Sequence, residues 1–323
     1  MRLPLMLLSS FFVFCKSPAP KTPVPSLNGT ATSAPTQTTL LILGNVQDAG
    51  SPHTACKKDC CKVLFLHPDP NRKVTSIGLL DPRAQKKYLF EASPDVPTQL
   101  KNLYTHAPFL EKETPDGIFL THAHIGHYTG LMYLGRESMN ASKVPVYAMP
   151  KMKAFLETNG PWSQLVGLQN ILLQPLQHHT AVALSPTLRV TPFTVPHRDE
   201  YSETVGYRIE GPHKKALFIP DIDKWEKWDT DIIQAIADVD FAFLDGTFYD
   251  NAELNGRNMA EIPHPFIAES MEKFKHLPPA EKSKIHFIHF NHTNPVLDPN
   301  SVQSKTVLER GFRVARMNGV FQL

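Results

Sequence analysis

Apolar residues along this chain fall in short runs bounded by turn residues, or recur every three to four positions over longer stretches. The runs "TLLILG", "KVLFLH", "KKYLFEA", "GIFLTHAH", "VPVYAM", "LRVTPFTVPH", "GYRIEG", "KALFIPD", "FAFLDGT", "IHFIHF" and "FRVAR" are predicted strands. The periodic stretches "DVPTQLKNLYTH", "PKMKAFLETNG", "TDIIQAIADV", "HPFIAESMEKFKHL" and "SVQSKTVLERG" are predicted amphipathic helices, the last closing on a glycine C-cap signal at Gly311. Early strands follow one another closely and later ones alternate with helices. That order predicts an α/β fold of sheets covered by helices, and neither a bundle nor a sandwich.

The pattern breaks down at the start of the chain. Residues 1–14 join a short basic start to an apolar stretch too short to span a bilayer, and Cys15 follows. This reads as an export signal of lipoprotein type with Cys15 acylated, so membrane contact is expected only through an N-terminal lipid. Phe14 is larger than the residue usual before a lipidated cysteine, and the alternative is an uncleaved apolar anchor. Residues 15–38 are rich in Pro, Ser and Thr and cannot bury enough surface to offset their conformational entropy, which predicts a disordered tether. The folded domain is expected over residues 39–323, with no internal repeat.

Composition supports one sizeable core: the 323 residues are 41% apolar and 20% charged. A net charge of +2 with scattered Lys and Arg points away from a nucleic-acid partner and leaves a small-molecule substrate as the expectation.

The candidate chemistry sits where the predicted strands end. His122 and His124 follow "GIFL", His197 follows "TPFTVP", Asp221 follows "ALFIP", Asp245 follows "FAFL", and His289 lies in "IHFIHF". Ligand sites of α/β proteins favour such strand ends. His122 and His124, two apart, face the same way on an extended chain, and His127 returns to the same locus if a helical turn begins there. Imidazole suits zinc and iron alike, and three converging donors make a metal site the expected reading over unrelated histidines. Cys56, Cys60 and Cys61 with His53 have the makings of a tetrahedral Cys₃His zinc site; the alternative is one disulfide and a free thiol.

"THAHIGH" resembles the H-x-H-x-D-H signature of metallo-β-lactamase-fold hydrolases, with Gly126 in the Asp place. The resemblance continues through His197, Asp221 and His289 and implies the αββα fold, two mixed sheets sandwiched between helices. It further implies one metal held by His122, His124 and His197, a second by His127 and His289, and Asp221 bridging the two. With no side-chain donor at Gly126, the expectation is one tight metal and a second that is weak, absent or of another element. A left-handed turn requiring glycine is the alternative explanation. Within the fold, "LGNVQDAGSPH", "EASPDVPTQL", "HYTGLMYLGRE", "LDGTFYD" and "IHFNHTNPVLDPNS" are similar to the coenzyme PQQ synthesis protein B family, whose members carry a cysteine-rich zinc loop in the corresponding place.

That resemblance implies a hydrolase in which a hydroxide held by zinc (or iron) attacks an ester or phosphodiester. His264 is the expected general acid beside Asp221, and Asp245 is expected to orient a metal histidine. The runner-up is an iron oxidase or hydroxylase related to PQQ biosynthesis, acting on a tyrosine- or quinone-like molecule. A non-catalytic metal or ligand binder is the third reading. Asp95 is expected near a helix start, and Trp225 and Trp228 either wall the pocket or pack in the core. His178, His179 and His292 have no expected role, and the glycines of "LGNVQDAG" do not form a phosphate loop.

Overall fold

Continuous apolar runs become strands buried on both faces. The computed structural model describes residues 35–198, 200–254 and 258–323, so the expected export segment and Cys15 lie outside the described residues. In chain order the strands are β1 (Thr39–Gly44), β2 (Ser76–Asp81), β3 (Lys86–Phe90), β4 (Gly117–Phe119), β5 (Val144–Ala148), β6 (Ile171–Pro175), β7 (Val182–Ser185), β8 (Leu188–Thr194), β9 (Val205–Glu210), β10 (Lys215–Ile219), β11 (Phe241–Asp245), β12 (Ile285–Ile288), β13 (Arg313–Val314) and β14 (Val320–Gln322). They form two seven-stranded sheets, ordered β14-β1-β2-β3-β4-β5-β6 and β13-β12-β11-β10-β9-β8-β7.

Each sheet changes character halfway. β1 to β3 run antiparallel, and β3 to β6 parallel. β7 to β10 run antiparallel, and β10 to β13 parallel. Parallel neighbours need crossovers, and helices supply them. The helices are α1 (Asp59–Lys62), α2 (Val96–Thr105), α3 (Ile125–Tyr128), α4 (Pro150–Thr158), α5 (Trp162–Gly167), α6 (Ile232–Ala237), α7 (Ile267–Lys273), α8 (Pro279–Lys282) and α9 (Val302–Glu309).

Alternation along each strand sorts its side chains between layers. Leu40 and Ile42 of β1 enter the core between the sheets, whereas Leu41 and Leu43 meet the helix layer over α2. β10 does the same, with Ala216 and Phe218 inward and Leu217 and Ile219 under the helices of the second sheet. Phe119 stacks on Phe90 and Tyr147 with ring centroids 4.8 and 4.3 Å away. Truncating so buried a ring to alanine costs about 3–5 kcal/mol. The buried Tyr207 hydroxyl donates to the Leu120 carbonyl, pinning the chain two residues ahead of His122.

Two expectations need correction. "KVLFLH" is not a strand: α1 and turns occupy it, and Val63, Phe65 and Leu66 are 61, 52 and 77% exposed. Among the described residues this run joins neither sheet. Conversely, β2, β6, β7 and β14 form from stretches not read as strands. Gly78 in β2 breaks the apolar run because a Cβ there would stand 2.6 Å from the Leu103 side chain.

Candidate metal centre

The six candidate donors meet at the strand ends. β4 stops at Phe119, and the chain bends at Ala123 and His124, whose own φ and ψ stay extended at −91° and 149° and which N-caps α3. His122 and His124 therefore project to one side, and the first turn of α3 brings His127 back beside them. His122 Nε2 lies 2.8 Å from His124 Nδ1 and 3.4 Å from Asp221 Oδ2, which is also 3.2 Å from His197 Nε2. His127 Nε2 stands 3.9 Å from the same Asp221 oxygen. His289 joins His127 in a second cluster, whose third member is Asp48.

Asp48 was not among the expected donors. Its Oδ1 is 2.8 Å from His127 Nε2 and 3.6 Å from His289 Nε2. Gly126 does not take the left-handed φ offered as its alternative explanation, and a Cβ built there would lie 2.3 Å from Asp48 Oδ1. A carboxylate from another loop, outside the expected donor set, thus stands beside His127 and His289.

The donor set fits a cation. Asp48 Oδ1, His127 Nε2 and His289 Nε2 in one group, and His197 Nε2 in the neighbouring one, are buried and make no hydrogen bond. A buried polar atom without a hydrogen bond costs about 1–3 kcal/mol, and a cation in each group would give these atoms a common partner. The opposite ring nitrogens are held from outside. His122 Nδ1 meets Thr121 Oγ1 at 2.8 Å, His197 Nδ1 meets Asp223 Oδ1 at 3.1 Å, and His127 Nδ1 faces Glu91 Oε1 at 3.3 Å. Thr247 links His289 Nδ1, at 3.0 Å, to Asp245 Oδ1, at 2.7 Å. Such partners fix ring orientation and tautomer. Glu91 and His289 both take positive φ, 72° and 67°, a strained backbone at two of the site's residues.

Charge is balanced within the cluster. Burial disfavours the Asp221 carboxylate, but the imidazoles of His197 and His264 outweigh it and hold its pKa well below the usual range. Burial likewise opposes charge on His127, and Glu91 and Asp48 overcome it, leaving that ring well above the usual histidine range. His264 is raised in the same way: against burial stand Asp245, 2.9 Å from its Nδ1, and Asp221, 3.1 Å away.

Beside the donors opens a cleft of about 540 Å³ lined by Asp48, His124, Tyr128, Phe155, Trp162 and Arg198 among others. Trp225 does not wall it: that ring is buried in the core under the second sheet, and its Nε1 donates to Ser270 Oγ at 2.9 Å. Trp228 donates to the Thr194 carbonyl and lines a different cavity. Asp95 caps no backbone amide of α2; it accepts from Val74 N at 2.8 Å.

The cysteine loop forms a separate cluster of Cys56, Cys60 and Cys61, with His292 in the place expected for His53. The three thiols are free. His53 instead turns Nδ1 to the Thr54 carbonyl and packs its ring 4.4 Å from that of His292. Burial pushes the Cys61 thiol up to about 12, so a thiolate there requires a cation. The two clusters share their supports: Asp48 and Cys56 lie on one loop, His289 and His292 on another.

Asp48, Glu91, Asp223, Thr247 and His292 escaped the sequence reading. Glu91 carried a signal, being a lone acid at the end of an apolar run, as did Asp223 in "PDID"; Asp48 carried none.

Residues 86–287 match the family described as β-lactamase superfamily domain. The chain is similar to coenzyme PQQ synthesis protein B of Methylorubrum extorquens (strain PA1), 25% identical over 297 residues that cover 85% of this chain and 97% of that protein. The protein of the same name from Pseudomonas fluorescens (strain Pf0-1) is 28% identical over 303 residues, covering 85 and 96%. Among solved structures, Zn²⁺-bound PqqB from Methylobacterium extorquens superposes with a TM-score of 0.71 at 24% identity, covering 88% of this chain and all of that one. A diphosphatase from the PhnP family gives 0.61 at 20% identity, covering 89 and 97%. These likenesses share the two-sheet architecture, and the family match spans most of the strands that carry the donors: the chain belongs to the β-lactamase superfamily.

Proposed function

We propose that this protein is a metal-dependent hydrolase of ester-type bonds, with phosphodiesters as the first class to test. The observation that carries the reading is Asp221, buried between the imidazoles of His122, His124 and His197 on one oxygen and His264 on the other. A divalent ion in such a donor set lowers the pKa of water from roughly 16 to about 7 and polarises the oxygen of a bound ester. The chain's own residues do the rest. Asp221 and Asp245 hold His264 charged and in place, so it has a proton for a departing oxygen. Asp223 accepts a hydrogen bond from His197 Nδ1, which leaves Nε2 for the metal, and Thr121 Oγ1 orients His122 through its Nδ1.

The cleft narrows the substrate. Tyr128 packs 4.8 Å from Trp162 and 5.4 Å from Phe155, which in turn lies 5.7 Å from Tyr201. Aromatic faces next to Arg198 suit a planar group bearing negative charge. The same walls support the second reading, an iron oxidase acting on a tyrosine- or quinone-like molecule, and the similarity to proteins named for PQQ synthesis adds weight to it. Metal content separates the two. Zinc with turnover of bis(p-nitrophenyl) phosphate supports the hydrolase; iron with oxygen uptake and no phosphodiester turnover overturns it. Export, with Cys15 acylated, belongs to the same proposal, and the mass of the mature chain tests it. In the described residues no helix is long and apolar enough to cross a membrane.

A further inference from the structure

We infer that Asp48 is the carboxylate ligand of the second ion, supplied from the loop after β1 in place of the acid that Gly126 does not provide. Three observations converge on it. First, the loop is not casually placed. Gln47 N donates to the Phe290 carbonyl and Phe290 N to the Asn45 carbonyl, both at 2.8 Å, and Val46 bridges Phe290. The backbone before Asp48 is therefore stitched to the residue after His289, which fixes the two donors relative to each other. Second, the carboxylate is divided in its duties. Oδ2 accepts from Gln47 Nε2 at 3.4 Å, whereas Oδ1 is buried, makes no hydrogen bond and faces His127 and His289. Third, the approach is possible only without a side chain at 126. A Cβ there would sit 2.3 Å from Asp48 Oδ1 and 2.5 Å from its Cα, closer than nonbonded atoms approach.

Gly126 is thus the condition for Asp48, not the mark of a lost ligand. One carboxylate is present at this point in space, carried by a different stretch of chain. A hard-oxygen donor beside two imidazoles suits zinc or iron.

The inference rests on the proposed metal centre, and the test reads metal rather than turnover. Full-length protein is stripped with chelator and titrated with Zn²⁺ by calorimetry, with bound metal counted by mass spectrometry. Asp48→Asn, nearly isosteric, should lose one equivalent, its affinity falling at least about 100-fold. His289→Ala should lose the same equivalent, and the pair together should lose no more than either alone. Gly126→Asp by itself should weaken that site because the new Cβ displaces Asp48, whereas Asp48→Gly with Gly126→Asp should recover it. Circular dichroism confirms that each variant is folded. Asp48→Asn binding as many ions as wild type with equal affinity overturns the inference, as does Gly126→Asp alone gaining a tight site. His124→Ala reports separately: if it loses no metal, the whole centre fails, and Asp48 with it.

Discussion

The histidine centre draws donors from the ends of β4, β8, β10 and β12 and from the loop after β1, whereas the cysteine cluster takes three of four from one short loop. The difference is one of closure. Donors far apart in sequence converge only after both sheets have formed, because each long loop must be closed before it returns anything. Donors a few residues apart need little of the fold. An ion at the histidine centre therefore reports that the fold exists, while an ion among the thiols helps make its own surroundings.

Changes to each cluster should break that contrast or sharpen it. His124→Ala should remove metal from the histidine centre and lower turnover by about a thousandfold, as follows from losing several kcal/mol of transition-state stabilisation. The thermal midpoint should fall only as far as chelator already lowers it in the wild type, and a further fall would erase the distinction. Cys61→Ser should do the reverse, costing roughly 2–3 kcal/mol, or about 5–10 °C in Tm, with the histidine metals still countable. Glu91→Gln, which alters the carboxylate facing His127 and the Thr121 amide, should weaken metal affinity by about 10–100-fold. The smallest effect comes from His286, remote from both clusters. Burial against Phe241, Phe243 and Phe321 pushes its pKa down from 6.5 to about 4. The unfolded chain then binds this proton first, so stability holds above pH 6.5 and is lost as pH falls from there towards 4. Between pH 7.5 and 5.5 the loss should be about 1 kcal/mol in chemical denaturation, and His286→Phe should flatten it.

The strands that carry the chemistry were legible because burial on both faces leaves an uninterrupted apolar run, as in "FAFLDGT". "KVLFLH" looked the same and is not a strand: its Val63, Phe65 and Leu66 side chains stay exposed, and an apolar run alone does not encode a partner strand. At the site, "THAHIGH" could be read because its spacing is local: two residues of extension, then one turn of helix. Asp48 could not, since its partner is a gap left by Gly126 far along the chain, and a gap has no letter. His53 was preferred to His292 for the same reason: it lies near the thiols in sequence, but His292 reaches them in space.

Because Asp48 and Cys56 ride on one loop and His289 and His292 on another, the two clusters pull on the same pair of segments. Thermodynamic reciprocity then applies. Whatever factor an ion among the thiols adds to affinity at Asp48 and His289, an ion there must return to the thiols. If both clusters hold ions, this coupling should be smallest at His122, His124 and His197, which neither loop carries.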